Sequence, residues 1–286
     1  MANAMGIRDI FVEANGLRHH LLARGSPGSP IVLMIHGLTG QAHNFDAVAE
    51  RLAHNYHVYC IDVRGRGETE WGPPDGYHTD NYVADLEAVR EALGLHAFAI
   101  VGTSMGGIIG MYYAARHGEH VQRLVLNDVG PEIDPRGLER IRSYVQDTPL
   151  AFADLKAVAK WYKKHYGPML GHLSDDEVAE FARWHVRRSD TGLYVWKMDP
   201  AVRSLQAPPP AGDPWDTFRA ITCPVLVIRG AESDVLSPEV ARRMVEEGKD
   251  CRLVEVPGVG HAPVLTEKPA LEAIEGFLAE QKLNNR

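Results

Sequence analysis

The chain has 286 residues, of which 45% are hydrophobic, and its formal net charge is −8, spread without acidic or basic blocks. This length and apolar content allow one main domain with a buried core. A negative charge without basic clusters argues against nucleic acid and against an anionic membrane surface as partners. We therefore expect the partner to be a small molecule.

The cysteines and the first residues indicate the compartment. Cys60, Cys223 and Cys251 lie far apart and form no C-x-x-C pair, which predicts packed thiols in a reducing environment. The first ten residues lack the apolar core of a secretory signal, and no apolar run reaches the length of a membrane span. We expect a cytoplasmic protein that is a monomer or a homodimer.

The predicted strands begin with a hairpin and continue as buried parallel strands. Two short segments flank Asn15-Gly16, which is a strong signal for an antiparallel hairpin. The later apolar runs are nearly continuous, as is typical of parallel strands covered on both faces. These runs span residues 31–36, 57–62, 97–102, 123–128, 224–229 and 251–256. Together they predict an α/β fold with a mostly parallel sheet of about eight strands.

The segments between these strands predict helices that cover both faces of the sheet. The helices are expected near residues 44–54, 80–93, 105–117, 238–247 and 267–282. Ser237-Pro238 supplies a cap and a first-turn proline for the fourth of them.

The alternation of strands and helices breaks between about residues 131 and 216, where we predict helices and no parallel strand. The chain enters this segment through Gly130-Pro131 and leaves it through residues 207–214. Ser174 and Glu177 form a capping box that opens a helix reaching Trp184.

The same segment is rich in aromatic side chains, with ten of the chain's 22 aromatic residues and four of its five tryptophans. We predict a helical lid at residues 131–214 on a core made of residues 1–130 and 215–286. Its substrate-binding residues are expected to be Trp161, Trp184 and Trp196. The alternative is a structural subdomain whose aromatic rings fill its own core.

The stretch GTSMG places Ser104 between Gly102 and Gly106, where a buried strand should turn into a helix. A nucleophilic serine must project from such a sharp turn, and glycines two residues before and after it relieve the crowding. The N–H of Met105 opens the helix and is unpaired by rule. The loop after an earlier strand brings the N–H of Leu38 to the same place, so the two amides predict an oxyanion hole.

The chain resembles the α/β-hydrolase family in five motifs. These are HGLTG (36–40), DVRGRG (62–67), GTSMGG (102–107), RGAESD (229–234) and VGHAP (259–263). The resemblance implies a catalytic triad of Ser104, Asp234 and His261, because the family's acid follows a late strand and its histidine the last one. Asp128, at the end of an earlier strand, and Glu232 are the alternatives for the acid.

Two arginines and several histidines invite other interpretations. Arg64 and Arg66 in DVRGRG are candidates for anion binding, but we favour a role in tying loops to nearby carboxylates. His36 and His43 belong to no metal-ligand spacing, and GTSMGG lacks the spacing and the lysine of a phosphate loop. We therefore expect neither a metal nor a cofactor.

These residues predict a serine hydrolase that cleaves a carboxylic ester or a similar acyl compound through an acyl-enzyme. Hydrolysis of a carbon–carbon bond, an amide or a lactone remains open on the same triad. A ligand receptor with slow turnover is the alternative from another functional class.

Overall fold

An eight-stranded sheet forms the centre of the computed structural model, which describes residues 6–170, 174–204 and 212–280. Its strands are β1 (Arg8–Ala14), β2 (Leu17–Arg24), β3 (Ile31–Ile35), β4 (His57–Ile61), β5 (Phe98–Thr103), β6 (Val121–Asn127), β10 (Val225–Gly230) and β11 (Cys251–Val256). Their order in the sheet is β1-β2-β4-β3-β5-β6-β10-β11. Strand β2 is antiparallel to both of its neighbours, and the pairs from β4 to β11 are parallel. The predicted mostly parallel sheet is confirmed.

In the described part of the chain six helices flank the sheet, and five of them follow the predicted positions closely. They are α1 (Asp46–Leu52), α2 (Thr79–Leu93), α3 (Met105–Arg116), α7 (Pro214–Ala220), α8 (Pro238–Glu247) and α9 (Lys268–Ala279). Of these, α7 was not predicted. Residues 281–282, the expected end of the last helix, lie outside the described part of the chain.

Alternate residues of each central strand face opposite sides, as the two-residue period of a strand requires. In β3, Val32 and Met34 pack with buried residues of α1 and α9, whereas Leu33 and Ile35 pack with those of α2 and α3. Helices therefore cover both faces of the sheet. None of the helices in the described part of the chain is both long and apolar enough to cross a bilayer.

Short sequence signals place the turns and caps. Asn15 and Gly16 adopt positive φ angles of 49° and 73° between β1 and β2, as a tight hairpin turn requires. The Ser237 side chain accepts a hydrogen bond from the Val240 N–H at 3.2 Å and caps α8.

The insertion between β6 and β10 is not wholly helical, which corrects our prediction. It contains α4 (Pro135–Gln146), α5 (Leu155–Leu170), α6 (Asp175–Arg183) and a small antiparallel sheet of β7 (Ala151–Phe152), β8 (Val186–Arg188) and β9 (Tyr194–Trp196). These strands have two or three residues each, which is too short for a period to be recognised.

Two predicted features of the insertion have different outcomes. Ser174 and Glu177 form the predicted capping box at the start of α6. The predicted exit at residues 207–214 lies outside the described residues as far as residue 211.

Candidate active site

Ser104 occupies a strained turn between β5 and α3, with φ 52° and ψ −118°. The turn brings the flanking backbones very close together. A Cβ atom at Gly102 would lie 2.4 Å from the Gly106 carbonyl oxygen, and one at Gly106 would lie 2.0 Å from that of Ile35. Only glycine fits at both positions, so the sequence around Ser104 follows from the turn that exposes it.

His261, in the loop after β11, lies between Ser104 and Asp128. Its Nε2 atom is 2.9 Å from Ser104 Oγ, and its Nδ1 atom is 2.8 Å from Asp128 Oδ2. A carboxylate only accepts hydrogen bonds, so Nδ1 carries the proton and Nε2 is free to accept the one on Ser104. The structure thus brings together a hydroxyl, a base and a buried carboxylate in one chain of hydrogen bonds.

Asp128 takes the place beside His261 that was predicted for Asp234. It follows β6, is fully buried, and accepts hydrogen bonds from the Gly230 N–H at 2.9 Å and from Ser233 Oγ at 2.6 Å. The end of β10 and the turn after it therefore supply two donors that orient Asp128, rather than the acid itself.

Asp234 instead binds Arg140 of α4, with 2.8 Å between Arg140 Nη2 and Asp234 Oδ1 and a second bond from Nε. The hydrogen bond from Arg140 is the main reason why the pKa of Asp234 is lowered. Glu232, the other alternative for the acid, is exposed. Our placement of Asp234 beside His261 is wrong because the turn directs its side chain towards the insertion.

The two expected oxyanion donors lie in segments that one buried arginine joins. Arg66 donates from Nε to the Leu38 carbonyl at 3.1 Å, and its Nη2 lies 3.4 Å from Met105 Sδ. A third hydrogen bond, 3.0 Å long, runs from Nη1 to the Tyr82 hydroxyl. Arg66 is fully buried without a carboxylate partner among the described residues, whereas Arg64 forms a buried ion pair with Asp85.

A cavity of about 120 Å³ opens at Ser104 and His261, beneath the insertion. The insertion contributes four aromatic side chains to its wall, Tyr144, Tyr162, Tyr166 and Phe181. It also contributes Arg140 and His185. The cavity is therefore closed largely by residues that our tryptophan prediction did not include.

The three predicted tryptophans lie elsewhere. Trp161 and Trp196 are buried in the insertion, with their ring centroids 5.0 Å apart. The Trp196 Nε1–H donates to the Pro149 carbonyl at 2.7 Å. Trp184 stacks on His43 outside this cavity, with 3.6 Å between ring centroids. The indoles of Trp161 and Trp196 therefore fill the core of the insertion, where large rings pack against one another. The indole of Trp184 covers the edge of the insertion.

The amino-acid sequence identifies the protein family of this chain. A family model described as the alpha/beta hydrolase fold matches residues 30–268. The chain belongs to this family.

Known relatives of this α/β hydrolase include two curated enzymes and one solved structure. The chain is 38% identical to a 3-hydroxybutyrate-oligomer hydrolase of Cupriavidus necator, over 87% of this chain and 88% of the relative. It is 31% identical to an N-formylmaleamate deformylase of Pseudomonas putida, again over 87% and 88%. An alpha/beta hydrolase from Novosphingobium aromaticivorans superposes with a TM-score of 0.88 and 34% identity, over 97% and 99% of the two chains.

Several residues of this α/β hydrolase's site were missed by sequence reasoning. Ser233 lies within the RGAESD motif but was not assigned a role there, and Arg140 belongs to no motif; only the folded turn shows which carboxylate each of them binds. The aromatic enrichment of the insertion did indicate a ring-lined wall, but tyrosine and phenylalanine provide the rings. Within the described ranges, no three His, Cys, Asp or Glu side chains are grouped like the ligands of a metal ion.

Proposed function

We propose that this α/β hydrolase is a serine hydrolase that cleaves a carboxylic ester or a related small acyl compound through an acyl-enzyme. The observation that carries the proposal is the hydrogen-bonded chain from Ser104 through His261 to Asp128 at the cavity. A positioned base and a buried carboxylate are what a serine hydroxyl needs to become a nucleophile.

In the first half of the reaction, Ser104 Oγ attacks the carbonyl carbon of the ester while His261 Nε2 takes the hydroxyl proton. The carbonyl oxygen becomes an oxyanion, which accepts hydrogen bonds from the N–H groups of Leu38 and Met105. The bond to the leaving alcohol then breaks, and His261 returns the proton to the alcohol oxygen. The acyl group is left on Ser104.

In the second half, a water molecule gives a proton to His261 Nε2 as its oxygen attacks the acyl carbon. The same two amides stabilise the second oxyanion. The bond to Ser104 Oγ breaks, and that oxygen recovers the proton from His261. The carboxylic acid product leaves, and the enzyme returns to its starting protonation state.

Asp128 acts in both halves through His261. Its Oδ2 atom accepts the Nδ1–H, which fixes the tautomer and stabilises the imidazolium that forms twice in each cycle. Asp128 is fully buried, and donors from Gly230 and Ser233 keep it in one orientation. This arrangement supports Asp128 as the acid in place of Asp234.

The relative from Cupriavidus necator supports an ester as the substrate. Oligomers of 3-hydroxybutyrate are joined by ester bonds and end in a carboxylate. Arg140 lines the cavity and uses one N–H of Nε and one of Nη2 to bind Asp234, so its remaining N–H groups can donate to such a carboxylate. We infer that the substrate carries a carboxylate near the bond that is cleaved.

A formamide is the second candidate for the cleaved bond. The relative from Pseudomonas putida, which is 31% identical, is named as a deformylase of N-formylmaleamate. The same triad can hydrolyse an amide, because His261 would protonate the leaving nitrogen in place of an alcohol oxygen. The two candidates differ in the leaving group and share the roles of all the residues named above.

Turnover on a panel of short p-nitrophenyl esters, formamides and lactones tests the proposal. We expect a kcat on the order of 1 s⁻¹ or more for a preferred ester, and a fall by about 10³ or more in Ser104→Ala. Binding of an unreactive substrate analogue to Ser104→Ala should persist, because the oxyanion amides and the cavity remain. Wild-type rates below about one turnover per hour across the panel would contradict an enzyme and favour a ligand receptor.

A further inference from the structure

The inner wall of the cavity contains two adjacent polar side chains whose hydrogen bonding is incomplete. Tyr162 lies on α5 and His185 follows α6, and their ring centroids are 5.1 Å apart. Their exposed fractions are 2% and 5%, so water from outside the protein barely reaches them. Both residues line the cavity that contains Ser104.

The tautomer of His185 follows from its one hydrogen bond within the protein. Its Nδ1 atom lies 3.0 Å from the Phe181 carbonyl oxygen, which can only accept, so Nδ1 carries the proton. Burial lowers the pKa of His185 to about 3, which keeps the ring neutral at physiological pH. Nε2 is therefore an acceptor, and no group in the described part of the chain donates to it.

The Tyr162 hydroxyl is buried and has no hydrogen-bond partner among the described residues. A buried hydroxyl left in this state costs about 1–3 kcal/mol. The surrounding rings of Phe181 and Trp161 offer it no strong acceptor. A ligand that accepts a hydrogen bond at this wall would remove the penalty.

We propose that Tyr162 and His185 form a subsite that binds a hydroxyl group of the substrate. The Tyr162 hydroxyl donates to the substrate oxygen, and His185 Nε2 accepts the substrate O–H. An alcohol satisfies both partners at once because it is both a donor and an acceptor, whereas a methylene group satisfies neither. This inference rests on the proposed hydrolase function and specifies hydroxylated acyl compounds as its substrate class.

The subsite lies within the same site as the nucleophile. His36 and His185 both line this cavity, and Gly37, which follows His36 in the chain, is so close to Ser104 that an added Cβ would lie 3.5 Å from the serine Cβ. A substrate hydroxyl bound by Tyr162 and His185 therefore belongs to a molecule whose carbonyl can reach Ser104. That hydroxyl lies either on the acyl chain or on the alcohol part of the ester.

Two pairs of esters test the subsite and distinguish these sources. One pair is p-nitrophenyl butyrate and p-nitrophenyl 3-hydroxybutyrate, which differ by a hydroxyl on the acyl chain. The other is ethyl butyrate and 2-hydroxyethyl butyrate, which differ on the alcohol side. We expect wild type to prefer the hydroxylated member of one pair by about tenfold or more in kcat/KM, and that pair identifies the source.

Three variants assign the preference to the two side chains. Tyr162→Phe and His185→Leu should each lower the ratio of kcat/KM between hydroxylated and plain ester by about fivefold to tenfold. His185→Gln, which keeps an acceptor, should retain part of the preference. Tyr112→Phe is the matched control, since it also removes a buried hydroxyl that has no partner among the described residues but lies outside the cavity, and its ratio should equal that of wild type.

Binding to Ser104→Ala keeps the test independent of turnover. Calorimetry should show that 3-hydroxybutyrate or 2-hydroxyethyl butyrate binds about tenfold more tightly than its plain counterpart, and that Tyr162→Phe in the same background removes the difference. If wild type hydrolyses no ester but this difference is found, the hydrolase proposal fails and the subsite stands. Equal binding of both members in both pairs, or variants that lower the rates of both members equally, would overturn the subsite.

Discussion

At the scale of single residues, two aspartates near the same edge of the sheet have opposite surroundings. Asp128 is fully buried and accepts hydrogen bonds from His261, Ser233 and the Gly230 main chain. Asp234 is partly exposed and pairs with Arg140. Removing the negative charge of Asp128 should therefore affect the base His261. Removing that of Asp234 should affect the wall of the cavity.

We expect Asp128→Asn to lower kcat by about 10⁴ with the fold intact, because an amide that donates towards Nδ1 favours the wrong tautomer of His261. Asp234→Asn should act mainly on KM, because it loosens Arg140 and leaves the triad in place. Initial rates on one ester, with circular dichroism as a check of folding, measure both. Full activity in Asp128→Asn together with an inactive Asp234→Asn would mean that Asp234 is the catalytic acid, as we first predicted.

The sequence could not choose between these two carboxylates. Each follows a buried parallel strand, and β6 and β10 are neighbours in the sheet, so both side chains begin at the same edge. The choice depends on a turn that directs Ser233 inwards and Asp234 outwards. The direction of a side chain in such a turn leaves no pattern in the sequence. The turn at Ser104 does leave one, because a side chain at either of the flanking glycines would collide with the backbone.

At the scale of elements, the insertion contacts the loop that carries Leu38. The hydroxyls of Thr39 and Tyr166 are 2.5 Å apart, which ties this loop to α5. Tyr166 also has non-helical dihedral angles, φ −118° and ψ 18°, within that helix. We infer that the insertion helps to hold Leu38, the proposed oxyanion donor, in place.

Tyr166→Phe should test this contact. Loss of one hydrogen bond of about 0.5–1.5 kcal/mol predicts a fall in kcat of about twofold to tenfold, because the proposed role of Leu38 is to stabilise the oxyanion and not the bound ester. Steady-state kinetics on a preferred ester measure it. Tyr194→Phe on β9, outside the cavity, is the control and should behave as wild type. A change in KM alone would mean that Tyr166 serves only to shape the cavity.

The elements of the sheet were easier to predict than those of the insertion. Long apolar runs such as residues 224–229 have one stable position, between neighbouring strands and under helices on both faces. The short strands of the insertion depend on contacts that are distant in sequence, such as Val186 opposite Trp196. That the insertion is a lid, with residues 131–214 as its bounds, stays a prediction.

At the scale of the whole molecule, buried neutral histidines couple stability to pH. Burial lowers the pKa of His36 to about 4 and that of His185 to about 3. The unfolded chain binds protons on these residues from about pH 6.5 downwards, while the folded chain does not until pH is much lower. Stability therefore falls as pH drops from 6.5 towards 4. The pKa of His20 is raised by hydrogen bonds to carboxylates despite its burial. Its contribution to stability is therefore lost as pH rises from about 6.5 through the raised pKa.

We expect the free energy of unfolding to change by about 1.4 kcal/mol per pH unit for each of the two histidines between pH 4 and 6.5. Urea unfolding at several pH values measures this slope. In His185→Gln the slope should decrease by about one proton's share, because glutamine at this position binds no proton in either the folded or the unfolded state. An unchanged slope in this variant would mean that His185 is protonated in the folded protein.

A cytoplasmic location and a monomeric or dimeric state also stay predictions at this scale. Location and oligomeric state depend on features of the protein surface, and none of the sequence motifs described above predicts such features.

The residue that a fluorophosphonate modifies covalently shows whether Ser104 is the nucleophile. The phosphorus reacts with a serine that has an adjacent base and oxyanion donors, so we expect one adduct per chain, mapped to Ser104 by peptide mass spectrometry. The adduct should be absent in Ser104→Ala and form far more slowly in Asp128→Asn. An adduct on another serine, or none in a preparation that hydrolyses esters, would show that Ser104 is not the nucleophile.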